Sequence, residues 1–80
     1  MKANHSNKSV DDIQLVLPLG GTGWMVKASN AKTFTVITDS KTEAVSIARN
    51  IARHKHTQMV VYGRNGSIQK TENYVAAETK

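Results

Sequence analysis

The 80-residue sequence contains no cysteine, which excludes disulfide bonds and thiolate metal sites as supports of the fold. It also contains no apolar run near the roughly eighteen residues that a membrane-spanning helix needs. The N-terminal stretch MKANHSNKS lacks the apolar core of a secretory signal peptide. We therefore expect a cytoplasmic protein with a single domain that is stabilised mainly by apolar packing.

Aromatic residues are scarce, at 5% of the chain, so the stacking platforms of single-strand nucleic-acid binders are nearly absent. Acidic residues are also few: six Asp and Glu stand against eleven Lys and Arg, and the formal net charge is +5. A positive excess favours encounters with polyanions such as nucleic acids. Charge alone carries no sequence information, so any such binding would be weakly selective.

No arrangement of residues predicts catalysis or a cofactor site. The glycine-rich stretch 20–23 precedes a predicted strand and lacks the Lys-Ser/Thr of a phosphate-binding loop, so we interpret it as a hairpin turn. His54 and His56 lie two positions apart, which places them on different sides of a helix, and no third metal ligand accompanies them. No serine lies in a nucleophile motif. We expect no enzyme activity, cofactor, metal or small-molecule substrate.

One segment, residues 40–54, has a clear helical pattern. Its apolar residues recur at spacings of three and four, which places them on one side of an α-helix. These residues are Ala44, Val45, Ile47, Ala48, Ile51 and Ala52. Ser40 stands three positions before Glu43, the spacing of a capping box in which hydroxyl and carboxylate satisfy free amide donors of the first turn. The sequence therefore predicts a helix that begins at this cap and ends near His54.

Strand patterns occupy three segments before the helix and two after it. They span residues 13–17, 24–28, 33–38, 59–62 and 67–70. Asn65-Gly66, between the last two, is a strong two-residue hairpin signal because both positions accept positive φ. The order βββαββ predicts an α+β fold, with a single antiparallel sheet of about five strands and one helix packed on one face. We expect the domain to span residues 12–72, between a disordered arm at 1–11 and a flexible tail at 73–80.

The two faces of this sheet should differ, since a single helix cannot cover five strands. The helix should cover the face with Trp24, Val26 and Val61, together with Leu15 or its neighbours, and Phe34 or Val36. Part of the other face should stay uncovered. In a register that the sequence leaves open, its members are Met25, Lys27, Thr33, Thr35, Val60 and Tyr62.

Three motifs carry a family resemblance. The stretch 23–27 is similar to G-W-x-V-K, the helix 41–52 to K-x-E-A-x-x-x-A-x-x-I-A, and residues 60–68 to V-V-H-x-x-D-G-x-I. Over residues 13–70 the chain thus resembles a small bacterial domain-of-unknown-function family, also found at the C-terminus of a bacillar general stress protein. The resemblance implies the same fold order and a bacterial, non-enzymatic, stress-associated setting, and it supplies no catalytic residue or cofactor.

Two positions depart from the family pattern. The family usually has Gly at the helix end where this chain has His56, so the resemblance implies a left-handed conformation at some cost or a different helix end. The family has His in the V-V-H motif where this chain has Tyr62. Any chemical role of that His would be absent here.

Two functions follow from these patterns. The preferred one is protein–protein interaction, with a second copy of the chain or with another protein, through Met25, Lys27, Val60 and Tyr62. The alternative is weakly selective binding of nucleic-acid phosphates by a basic helix face. Its residues are Lys41, Arg49, Arg53, Lys55 and Arg64. Each set also has a plainer interpretation, as half-buried sheet positions or as a solvated surface that keeps a small protein soluble.

Overall fold

The computed structural model describes residues 13–75, so the predicted arm at 1–11 and the last part of the predicted tail lie outside the described residues. Six elements follow in the predicted order, and the α+β fold with one sheet and one helix is confirmed. They are β1 (Gln14–Pro18), β2 (Trp24–Ala28), β3 (Val36–Thr38), α1 (Lys41–Lys55), β4 (Gln58–Tyr62) and β5 (Ile68–Asn73).

The sheet has the strand order β3-β2-β1-β4-β5. Its central pair, β1 and β4, is parallel, with Val16 opposite Val61, so the prediction of a purely antiparallel sheet is wrong at this pair. The reason is the path of the chain. Two hairpins give β3 the direction of β1, and α1 then returns the chain to the starting end of the sheet. The strand that follows such a crossover runs parallel to its neighbour.

A stripe of small residues holds α1 close to the sheet. Ala44, Ala48 and Ala52, each four positions from the next, have no exposed surface. The larger apolar residues of the predicted helix face flank this stripe and are only partly buried. On the sheet side, the buried apolar residues are Val16, Trp24, Val26, Met59 and Val61. The central contact is therefore alanine against strand, and it sets a short distance between the two layers.

Both predicted helix ends are present. Ser40 is extended, and its hydroxyl accepts a hydrogen bond from the Glu43 N–H at 3.1 Å. The helix ends one residue later than predicted, and His56 adopts the left-handed conformation, with φ 56° and ψ 50°. The His56 N–H donates to Arg53 O at 3.3 Å, and the Thr57 N–H donates to Ala52 O at 2.9 Å. These two bonds form a Schellman motif built on a residue with a Cβ.

Several boundaries differ from those predicted. β3 is shorter than the segment 33–38, and Phe34, 46% exposed, lies ahead of it. The second hairpin is present, but only Gly66 of the Asn65-Gly66 pair has a positive φ. The loop has three residues, 64–66, and is closed by the Gly63 N–H to Ser67 O bond at 2.8 Å. A β-bulge at Val61/Tyr62 shifts the register of the two strands beyond it.

The last strand extends beyond the predicted segment 67–70. β5 continues through Asn73, and the Tyr74 N–H donates to Thr57 O at 2.9 Å. The first glycine-rich stretch is a hairpin turn as interpreted, with Gly21 at φ 77° and the Leu19 N–H bonded to Gly23 O.

Enlarging the alanine stripe should destabilise the domain. Ala48→Leu inserts three carbons at a site with no free surface, and overpacking of this kind costs about 1–3 kcal/mol. Asn50→Leu, on the exposed side of the same helix, should change the free energy of unfolding by less than about 0.5 kcal/mol. Urea unfolding followed by circular dichroism measures both. Equal stability of Ala48→Leu and the wild type would contradict close packing at the stripe.

Glycine at the helix end should stabilise the fold. A left-handed conformation costs a non-glycine residue roughly 1–2 kcal/mol, and the greater unfolded-state entropy of glycine offsets about 0.5–1 kcal/mol of this. We expect His56→Gly to raise the free energy of unfolding by about 0.5–1 kcal/mol. His54→Gly, inside the helix, should lower it by about the same amount. Thermal unfolding of the two variants decides the matter, since a loss of stability in both contradicts the assigned role of His56.

Candidate interaction surfaces

An apolar patch spans four strands on the sheet face opposite α1. All four predicted contact residues belong to this face, since they alternate with the buried positions of β2 and β4. The strand register places Leu15 between Lys27 and Val60, and Leu17 beside Met25. We define the open face as Leu15, Leu17, Met25, Lys27, Ile37, Val60 and Tyr62.

Three members of the open face were not identified from the sequence as contact residues. β1 is apolar on both sides, as central strands often are, so its pattern does not show which side is covered. In the structure Gln14 and Val16 face the helix, and Leu15 and Leu17 face outward. Ile37, opposite Met25, is 48% exposed. Thr33 and Thr35 are exposed residues ahead of β3, and the Thr35 N–H donates to Val26 O of β2 at 2.7 Å.

The open face carries one charged group, and that group is held at its margin. Lys27 Nζ donates to Ala31 O at 2.6 Å and to Ala28 O at 3.2 Å, so the ammonium lies against the loop that follows β2. Across residues 13–75, no other Lys, Arg, Asp or Glu projects from a strand on this side. The centre of the open face is therefore neutral and apolar.

The five predicted phosphate contacts do not form one free basic surface. Lys41 and Arg64 both lie over the Trp24 ring, at 5.5 and 4.8 Å from its centroid. Arg64 also donates to Leu19 O at 3.1 Å, and Lys41 donates to Gln69 Oε1. These two cations close the end of the core around a tryptophan that is 6% exposed.

The remaining basic residues lie further along α1. Arg53 lies over the Tyr74 ring, 6.0 Å from its centroid, and Lys55 is exposed at the helix end. Arg49 forms a bidentate pair with Glu72, with Nε to Oε1 at 2.8 Å and a terminal nitrogen to Oε2 at 2.9 Å. All five predicted contacts thus already interact with other groups of the chain.

The pair between Arg49 and Glu72 is the strongest electrostatic feature of this side. Hydrogen bonds from Arg49, and then from the Tyr74 hydroxyl, lower the pKa of Glu72 from 4.5 to about 2. The same pair raises the pKa of Arg49, and the hydrogen bond to Glu72 raises the pKa of Tyr74. No sequence pattern indicated this pair, because its members are 23 positions apart and meet only in the folded chain.

A groove separates α1 from β5. The helix packs over β1 to β4 and leaves β5 uncovered, and the space between them is about 650 Å³. The apolar residues Val45 and Val61 and the cations Lys41, Arg49 and Lys70 are among the residues that line it. The bulge leaves Gln69 as an extra residue of β5 that packs against Gly63. The groove presents cationic and amide donors beside two apolar side chains, with no acid–base pair in it among the described residues.

Within residues 13–75, no group of three or more His, Cys, Asp or Glu side chains is placed to hold a metal ion. In the same range, no helix has the length and apolar character to cross a membrane.

Comparison with known proteins gives a bacterial family. Residues 14–74 match the family described as "Uncharacterized protein conserved in bacteria (DUF2188)". The chain is also 46% identical over 48 residues to uncharacterized protein YdaT of Bacillus subtilis (strain 168). That match covers 60% of this chain and 32% of the relative, so the chain spans about a third of the relative's length. No solved structure matches.

The carboxylate of Glu72 should make stability depend on pH. The pKa of Glu72 is about 2 in the folded chain and near 4.5 without its partners. Its contribution to the free energy of unfolding is therefore present above pH 4.5 and declines as the pH falls toward 2. Glu72→Gln should melt at a lower temperature than the wild type at pH 7, and the difference should shrink toward zero near pH 2. Melting curves from pH 7 to 2 test this. Thr71→Val, at the neighbouring exposed position, should show a pH-independent difference.

Proposed function

Since the chain belongs to this family of uncharacterized bacterial proteins, we propose that it is a binding protein that acts through protein–protein contact at its open face. The observation that carries the proposal is the neutral apolar patch across four strands. Ordinary surfaces expose single apolar side chains, whereas contiguous apolar patches commonly mark interaction sites. Lys27, the one charge on the patch, is already bound to backbone carbonyls and leaves the centre free for apolar contact.

The proposed role is non-catalytic and cytoplasmic. Its partner is another protein or a second copy of the chain, and it involves neither a membrane nor a small-molecule substrate. The groove beside β5 supports this choice, because its cations and hydroxyl groups lack the paired acid and base, or the activated nucleophile, that reactions require.

Binding to phosphates of nucleic acid is the second candidate. The net charge of +5 favours it, with Lys41, Arg53, Lys55 and Arg64 as its contacts. Arg49 supports it less, because Glu72 already neutralises that guanidinium. We rank this function second since the cations are distributed between the Trp24 end of the core and the far end of α1.

A charge in the open face should abolish partner binding. Met25→Glu places a carboxylate at the centre of the patch, and burying it against an apolar partner would be costly. Tagged wild type, Met25→Glu and the control Asn50→Glu are each used to capture proteins from a bacterial lysate, with mass spectrometry as the readout. We expect partners that the wild type and the control retain and Met25→Glu loses. Identical retention by all three proteins would overturn the assignment of this face.

A gel shift on duplex DNA at 50 and 200 mM salt distinguishes nucleic-acid binding from the proposed function. The proposed function predicts no shift at either concentration and a low ratio of absorbance at 260 to 280 nm in the purified protein. Neutralisation of four phosphates would instead give binding that weakens roughly 150-fold over this range. A shift with that salt dependence would make the second candidate the correct one.

A further inference from the structure

β5 is the longer of the two edge strands. It has six residues, against three in β3, and no strand lies beyond it among residues 13–75. An edge of this length offers a row of backbone donors and acceptors to another strand. α1 does not cover β5 either, so a neighbouring chain can approach without meeting the helix.

The hydrogen-bond phase of β5 identifies which backbone groups face outward. The Tyr74 N–H donates to Thr57 O, so in an antiparallel ladder Tyr74 and Glu72 direct their backbone groups toward β4. Along a strand, successive residues direct their backbone groups toward opposite edges. Thr71 and Asn73 therefore direct their N–H and C=O groups away from the sheet.

The side chains that flank Thr71 are oppositely charged. Lys70 and Glu72 both lie on the helix side of the sheet, and Lys70 Nζ is 3.3 Å from Glu72 Oε2. Lys70 is the more exposed, at 56% of its side-chain surface. Thr71 lies between these charges and projects to the opposite side.

We propose that β5 pairs antiparallel with β5 of a second copy about a twofold axis at Thr71, which joins two sheets into one of ten strands. This arrangement places Lys70 opposite the partner's Glu72, and Glu72 opposite the partner's Lys70. Both are non-hydrogen-bonded pairs, in which facing side chains come closest. The inference names the second copy as a partner and is independent of whether the open face binds another protein.

The charges select this axis over its alternatives. The hydrogen-bond phase allows an axis at the outward-facing residues Thr71 and Asn73, where the facing pair is hydrogen-bonded, and at Lys70 and Glu72, where it is not. An axis at Lys70 or Glu72 would place two like charges directly opposite one another, which destabilises the pairing. An axis at Asn73 would place Glu72 opposite Tyr74, and Lys70 would face no carboxylate of the second copy among the described residues. The axis at Thr71 gives two reciprocal ion pairs. This axis is perpendicular to the sheet, so the α1 helices of the two copies lie on the same side of the joined sheet. The two β5 strands, which neither helix covers, lie between them.

Cysteine cross-linking tests the axis cleanly, because the chain has no native cysteine. Thr71→Cys places two thiols across a hydrogen-bonded pair with Cα atoms about 5.5 Å apart, within disulfide reach. Asn73→Cys is the matched control, since its two copies would lie about 13 Å apart along the strands. On mild oxidation at low protein concentration, we expect a covalent dimer from Thr71→Cys and monomer from Asn73→Cys. Equal yields from both variants would overturn the axis.

Charge exchange gives a second test in solution. Lys70→Glu and Glu72→Lys should each weaken self-association at least tenfold, because each places like charges opposite one another. A mixture of the two should restore dimers, since both cross-strand pairs are then complementary. Light scattering at 50 mM salt measures this, after circular dichroism has shown that each variant folds. If Glu72→Lys does not fold, Thr71→Lys puts two like charges on the axis and should weaken association similarly.

The remaining outcomes also decide the inference. The inference is overturned if the wild type stays monomeric at all accessible concentrations. It is also overturned if the wild type is dimeric but the mixture of Lys70→Glu and Glu72→Lys stays monomeric. In the Thr71→Cys background, Met25→Glu should leave the covalent dimer unchanged. If Met25→Glu abolishes the cross-link, the dimer forms through the open face and not through β5. If Met25→Glu loses the captured partners and leaves the Thr71→Cys cross-link intact, the result supports the proposed function and the inference separately.

Discussion

The close approach of α1 to the sheet, along Ala44, Ala48 and Ala52, is the constraint on which the rest of the domain depends. The helix packs over β1 to β4 and does not reach β5. Its larger apolar side chains flank the alanine stripe and are partly buried. The helix therefore leaves one edge strand uncovered, and the opposite sheet face is uncovered because residues 13–75 contain one helix.

The local features of the fold could be predicted from the sequence, and the pairing of distant segments could not. The spacing of apolar residues and Ser40 located the helix, and alternation located the strands to within a few residues. The parallel pairing of β1 with β4 depends on where α1 returns the chain. Likewise, the outward direction of Leu15 depends on which side of an apolar strand the helix covers. Neither is encoded in a local pattern.

The candidate surfaces show the same division. Met25, Lys27, Val60 and Tyr62 were predicted together from alternation, and the structure places them on one face. The basic set was predicted from composition and one helix face, and the structure disperses it. Arg49 meets Glu72, while Lys41 and Arg64 meet at Trp24. A net charge counts residues and takes no account of such partners, so it overstates the positive surface that a polyanion can reach.

The position of Trp24 has a practical consequence. It is the single tryptophan of the chain, and its ring contacts one cation from the start of α1 and another from the loop between β4 and β5. The emission of an indole responds to the electric field and solvent around it. Any event that shifts either segment therefore changes the fluorescence of one defined residue, and the domain carries its own optical reporter without a label.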